Sequence, residues 1–327
     1  MAAAGVKQAL GDLNKDAFVT LLSKLIGESK YVQNNPPDLI PEEDRIVRHV
    51  LDVLRPFSTA TGGGPLVINH VAYKPNRGNL IVEYPGTQPG KILSFVGMHM
   101  DVVTAIPSEW DFDPFTLSID GDKLRGRGTT DCLGHVALVA ELMRRLGETK
   151  PQLKSTVVAV FIASEENSSI PGVGVDALVK DKLLDALKQG PLFWIDTADK
   201  QPCIGTGGMI PWKLHVSGKL FHSGLAHKAI NPLELAMEAL KEIQSRLTPF
   251  YRLTISFDEA TSGVACNLDS RGFHVLCKAT EEVVGHVKPY SITGTLPLIR
   301  ELQEEGFDVQ TSGYGIVHFL LHAFSLL

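Results

Sequence analysis

Val96-Gly97-Met98-His99-Met100-Asp101 closes a β-rich apolar run that starts at Ile92, and it sets an imidazole and a carboxylate two residues apart. In a strand, residues i and i+2 share a face, so His99 and Asp101 can both enter one site at the strand's C-terminal end. Neutral histidine is the commonest Zn2+ ligand, and a carboxylate beside it can fix its ring. On its own a His-x-Asp is more often a core histidine beside a solvated acid, so the positions downstream have to decide.

Outward from this stretch the chain alternates helix and strand. Before it, an apolar pattern from Asp16 through Leu21, Leu22, Leu25 and Ile26 predicts a helix ended by Gly27. Pro41-Glu42-Glu43 supplies helix-start chemistry for Ile46, Val47, Val50, Leu51 and Leu54, and its acids read as a solvated helix face. Strands are predicted at Leu66 to Tyr73, Asn79 to Tyr84 and Ile92 to Met98, divided by Pro75-Asn76-Arg77-Gly78 and Pro85-Gly86. After it come a helix from Asp131, a buried strand from Ser155 to Ala163, a helix over about Gly174 to Leu187 and a strand from Leu192 to Ile195. The alternation predicts an α/β fold: a mixed, mainly parallel sheet with helices on both faces.

Composition narrows the class. The 327 residues are 44% hydrophobic and 21% charged, enough for one large or two moderate domains. A net charge of -6 with no basic stripe argues against a nucleic-acid partner. Cys132, Cys203, Cys266 and Cys277 lack C-x-x-C spacing, which fits a reducing compartment and excludes a thiolate zinc knuckle. Met1 to Lys30 shows neither a secretory apolar core nor an Arg-rich leader, and no run reaches membrane-spanning length, so the expected location is cytoplasmic with no membrane partner.

Four more acids, at three places, sit where strands of such a sheet end, the edge at which ligands collect. Asp131 follows the turn-rich Gly126-Arg127-Gly128-Thr129-Thr130, Glu165 and Glu166 follow Val157 to Ala163, and Asp196 ends Leu192-Phe193-Trp194-Ile195. Singly, each fits a helix cap or a solvated strand end. Together with His99, the acids Asp131, Glu166 and Asp196 form a mixed N/O ligand set with a bridging carboxylate, suited to one or two Zn2+ or Co2+ ions. Glu165 is left free to take a proton from water and return it to a leaving amine.

The motifs Val96 to Val103, Trp110, Asp113-Pro114-Phe115, Gly121, Gly126-Arg127-Gly128, Asp131 and Ser164-Glu165-Glu166 resemble the dinuclear-zinc aminoacylase and carboxypeptidase family. Phe193 to Asp199 and Pro202 to Gly208 resemble its plant-type acetylornithine deacetylase branch. The resemblance implies two divalent metal ions, with His99 and Asp196 on separate metals, Asp131 bridging and Glu166 as a further ligand. It implies Glu165 as general base and Asp101 as the carboxylate orienting His99. The implied reaction is hydrolysis of N2-acetyl-L-ornithine to ornithine and acetate, in arginine biosynthesis, with another N-acyl amino acid or a dipeptide as the alternative substrate. Gly218 to Gly224 resembles the turn whose histidine, here His222, reaches the partner's site in a homodimer to stabilise the oxyanion.

The implied organisation is a catalytic domain, 1-207 and 257-327, split around a satellite domain at 208-256. Here the chain departs from the family. It passes from Arg246-Leu247 to Leu253-Thr254-Ile255-Ser256-Phe257 where a second satellite half is expected, which leaves a sheet edge unpaired and leaves dimerisation and the reach of His222 open. The family's last ligand histidine, expected soon after Gly313-Tyr314-Gly315, has only His318 and His322 as candidates. This is the pattern of a truncated or alternatively spliced form, and a catalytically impaired chain is the competing expectation.

Overall fold

The computed structural model describes residues 10–167, 170–197, 199–208, 212–246, 253–257 and 262–313. In order these form α1 (Lys15–Glu28), α2 (Asp44–Leu54), β1 (Val67–Lys74), β2 (Arg77–Tyr84), β3 (Ile92–His99), β4 (Ser118–Asp120), β5 (Lys123–Arg125), α3 (Leu133–Thr149), β6 (Thr156–Ile162) and α4 (Val175–Lys180). Then follow β7 (Leu192–Thr197), β8 (Cys203–Gly205), β9 (Trp212–Val216), α5 (Pro232–Arg246), β10 (Leu253–Phe257), α6 (Arg271–Val284), β11 (Tyr290–Ser291), α7 (Pro297–Glu304) and β12 (Val309–Gly313).

The main sheet has the order β1-β2-β6-β3-β7-β12-β8-β11. Its centre is parallel, β6 with β3, β3 with β7 and β7 with β12, while β1 and β2 add an antiparallel edge. Period-2 alternation sorts each central strand between two cores. Val157, Ala159 and Phe161 of β6 join one core with residues of α1, α2, α3 and α6, and Val158, Val160 and Ile162 join the other with residues of α4 and α7. Helices therefore cover both faces, as the alternation predicts.

Two helices differ from expectation at their ends. Helix α1 runs through Gly27 to Glu28, because the Asn14 side chain caps its start and the buried Leu21, Leu22, Leu25 and Ile26 hold its face. Helix α4 stops at Lys180, well short of Leu187; Lys182 adopts a left-handed φ of 60° and a 3-10 turn, Asp185–Gln189, takes over.

Gly97 decides how β3 delivers His99. Pairing with β6 shifts register between Val96 and Met98, so Gly97 is the extra residue of a bulge, with φ 94°. Bulges re-aim the side chains that follow them, and His99 follows. A Cβ on Gly97 would lie 2.6 Å from the ring of Trp194, which is 0% exposed and cannot swing away. Gly97→Ala is therefore expected to lower folding stability by at least about 1–3 kcal/mol, the usual cost of overpacking a core. A urea titration with an unchanged midpoint would contradict this.

The described residues divide into two compact units. One draws on Met1–Thr206, Val264–Ile292 and Leu296–Leu327, and contains the main sheet. The other draws on Gly207–Gly263 and Thr293–Thr295, with β9 and β10 paired antiparallel and α5 beside β9. Among the described residues β9 and β10 pair only with each other, and Leu233 and Met237 of α5 are exposed.

Candidate metal centre

The ends of β3, β6 and β7 and the start of α3 converge on one imidazole. His99 is fully buried, and its Nδ1 lies 2.9 Å from the backbone carbonyl of Asp101. A carbonyl only accepts, so Nδ1 carries a hydrogen and Nε2 is the atom left to bind an ion in the neutral ring. Nε2 lies 2.8 Å from Asp131 Oδ1 and 3.3 Å from Asp196 Oδ1. Two sets of ligand atoms lie within 4.8 Å of one another: His99, Asp131 and Glu166, and His99, Cys132 and Asp196. The structure thus gathers Asp131, Glu166 and Asp196 around His99. His99 Nε2 and Asp196 Oδ1 face each other across 3.3 Å.

Each acid is placed by its element. Asp131 is no helix cap, since α3 is capped by Cys132 without a side-chain bond; its carboxylate is 58% exposed and faces His99. Asp196 also accepts from Trp194 Nε1 at 3.3 Å, bringing two residues of one strand face together. Asp101 is fully buried, and its carboxylate does more than face His99 at 3.4 Å. It accepts from Asn34 Nδ2 at 2.7 Å, from the Glu165 N–H at 3.1 Å and from the Glu166 N–H at 3.0 Å. Asp101 therefore fixes the ring most closely through its main chain, while its side chain holds the loop that bears both glutamates.

Charge crowding follows from this geometry. Burial, with Asp196, Asp101 and Glu166 nearby, drives the Glu165 carboxyl well above the ordinary range. Burial likewise pushes Glu166 up to about 7, with Asp131, Asp101 and Asp196 adding to it. Burial works against a charged His99, but the Asp196, Asp101 and Asp131 carboxylates outweigh it and raise the imidazole well above 6.5. Burial also pushes the Cys132 thiol well above 9, so at neutral pH the carboxylates carry the negative charge. Five acids around one imidazole, with N and O donors converging, fit a divalent cation, which would relieve their repulsion.

A cavity of ≈300 Å3 opens beside Asp131, lined among others by Trp110, Arg125, Arg127 and Thr130. The Arg127 guanidinium sits 4.9 Å from the Trp110 ring. In the second unit His222 starts a 3-10 turn, Ser223–Lys228, with its Nδ1 accepting from the Gly224 N–H at 3.2 Å; it is exposed, as is His227. His318 and His322 lie outside the described residues.

Sequence reasoning missed the residues that support the site. Asn34 gave no local signal, and Glu43, read as a solvated acid, is fully buried. Its side chain makes no cap bond at the start of α2 and turns inward instead.

Comparison with known proteins follows the same line. The model of "Peptidase family M20/M25/M40" matches residues 95–303. Acetylornithine deacetylase of Arabidopsis thaliana is 65% identical, with 95% of this chain and 91% of the relative covered. That pairing spans 399 positions against 327 residues here, so at least 72 positions of the relative (399 less 327) have no counterpart in this chain. Acetylornithine deacetylase of Dictyostelium discoideum is 40% identical over 93% of this chain and 91% of its own length. Human carnosine dipeptidase 1 shares the fold, with a TM-score of 0.71 at 15% identity, covering 99% of this chain and 98% of that one.

Proposed function

This chain belongs to peptidase family M20/M25/M40, and from that premise we propose that it removes the acetyl group from N2-acetyl-L-ornithine, releasing L-ornithine and acetate. The reaction class is metal-dependent amide hydrolysis. The observation that carries the reading is His99 Nε2 set between Asp131 and Asp196, with Glu166 in the same cluster. We assign His99 and Asp196 to one ion, Asp131 as the bridge and Glu166 to a second ion, with Zn2+ or Co2+ suited to the N/O donors. Divalent ions bound there supply Lewis acidity toward the amide carbonyl and make water more acidic.

The protein's own residues do the rest. Glu165 takes the proton of the attacking water, and its raised affinity for that proton suits it to hand it on to the departing amine nitrogen. Asp101 keeps the His99 ring and the glutamate loop in register. The cavity beside Asp131 offers room for a small N-acyl amino acid. A homodimer in which His222 reaches the partner's oxyanion is supported by the Gly218 to Gly224 motif and by the exposed position of His222. Four free cysteines support a reducing, cytoplasmic setting, and among the described residues no helix is long and apolar enough to cross a membrane.

The test is metal content and acetylornithine hydrolysis measured on one sample. Turnover that tracks bound metal supports the reading; a fully metallated protein that cleaves other N-acyl amino acids but not acetylornithine would reassign the substrate. Binding should also depend on pH. Metal-free Glu166 keeps its proton up to about pH 7, so an ion must displace it. Affinity is therefore expected to fall as pH drops through about 7, with protons released on binding. Calorimetry at pH 6.5 in two buffers of different ionisation enthalpy reads that release directly, and identical heats would contradict it. The sign for stability is the reverse. A folded-state pKa raised from 4.5 to about 7 means that the metal-free protein loses stability as pH climbs through that window.

A further inference from the structure

Four consecutive backbone N–H groups run through the loop that carries both glutamates, and each donates to a fully buried side chain. Ala163 donates to Asn79 Oδ1 at 2.9 Å, Ser164 to Glu43 Oε1 at 3.2 Å, and Glu165 and Glu166 to the two oxygens of Asp101. Asn79, Glu43 and Asp101 are all 0% exposed. They come from β2, from the residue before α2 and from the residues after β3, so three separate elements hold one short loop. The loop needs holding: Ser164 has φ 60°, left-handed backbone that a residue with a Cβ adopts only when its surroundings impose it.

Asp101 also faces the imidazole, and Asn79 ties the loop to the Val173 carbonyl through Nδ2 at 2.8 Å. Glu43 is the member whose presence the ligand set does not explain. It is paired with Arg77, Nε to Oε2 at 2.9 Å and Nη2 to Oε1 at 2.6 Å, with Arg77 itself buried. Burying an ion pair is a poor way to gain stability, since two apolar residues of similar size often do as well or better. A bidentate guanidinium does fix a carboxylate in one orientation. Here that orientation presents Oε1 to the Ser164 N–H.

We propose that Glu43, locked by Arg77, is a positioning residue: it sets the left-handed turn at Ser164 and so aims Glu165 at the reacting water and Glu166 at its metal. The inference rests on the roles given above to Glu165 and Glu166.

Its test uses the metal-loaded protein. Glu43→Leu combined with Arg77→Met removes both buried charges together, and this avoids the unpaired cation that a single Glu43 replacement would leave. The double variant is expected to melt near the parent temperature, to lose about 10–100-fold in kcat with KM little changed, and to show altered visible absorption when loaded with Co2+. Arg77→Lys keeps the charge but loses the two-pronged grip, and is expected to lower kcat in the same direction should the double variant fold poorly. Glu43→Gln combined with Arg77→Met keeps an acceptor for Ser164 without leaving a buried cation, and is expected to recover part of kcat relative to Glu43→Leu with Arg77→Met. Parental kcat and an unchanged Co2+ spectrum in the Glu43→Leu double variant or in Arg77→Lys would overturn the proposal and leave the pair a structural filler. If the parent protein fails to cleave acetylornithine, the substrate assignment falls and the Co2+ spectrum still decides the role of Glu43.

Discussion

Glu165→Gln is expected to lower kcat for acetylornithine by about 10²–10⁴-fold, the range that a positioned general base contributes, while leaving metal content unchanged. Glutamine keeps the size of the side chain and removes its ability to take a proton. Glu165 belongs to neither group of converging ligand atoms, although its neighbour Glu166 does. Its main chain stays pinned, because the Glu165 N–H donates to Asp101 whatever the side chain is. Metal analysis alongside steady-state kinetics separates the outcomes. Loss of metal together with activity would make Glu165 a ligand, and near-normal kcat would pass the proton-transfer role to another group. In the metal-free protein, burial and the acids around Glu165 hold its carboxyl well above the ordinary range.

Much of this arrangement was legible in the sequence, for reasons that can be traced to single residues. Strand β6 announces itself because Val157 to Ile162 alternate between two apolar cores, and a strand apolar on both faces needs helices on both sides. The acids Glu165 and Glu166 stand just past such a strand and Asp196 is the next-to-last residue of β7, all near the sheet edge where ligands gather, which is why the sequence singles them out. What stayed hidden is non-local. Glu43 obeys every local rule for a solvated acid at a helix start, and only the fold reveals that Arg77, Ser164 and Asp101 surround it. Gly97 reads as an ordinary small residue in a strand. The bulge it forms, and the closeness of the Trp194 ring, depend on registers with β6 and β7 that periodicity cannot express. The grouping of His99 with Asp196 is of the same kind, since it needs β3 and β7 to be neighbours with a common C-terminal edge. The expectation of an incomplete satellite domain rests on an absence from a linear pattern; the 399-position pairing shows that the relative has positions without a counterpart here and does not locate them.

Asp131→Ala has the largest expected effect on metal binding, and it should separate binding from folding. Asp131 is the acid nearest to His99 Nε2, at 2.8 Å, and it shares one ligand group with Glu166. In the proposed bridging role, its removal would take a donor from both ions at once, so bound metal and acetylornithine turnover are both expected to be lost. Stability without metal should move differently. His99 holds the Asp131 carboxyl low, so an ion pair is given up, but Asp196 remains 3.3 Å from the same nitrogen to take its place. Against that loss stands the removal of one negative charge from a crowd of five acids, and Asp131, at 58% exposure, gives up little packing. Neither the cap of α3 nor a core contact depends on it. The metal-free variant is therefore expected to melt no lower than the metal-free parent. Adding Zn2+ at 100 times its Kd should stabilise the parent by about 2.7 kcal/mol through mass action and the variant hardly at all. Thermal melts of both proteins, with and without Zn2+, give the four numbers needed. A variant that unfolds without metal would make Asp131 a structural residue, and a variant that keeps the full Zn2+-dependent shift would remove it from the ligand set.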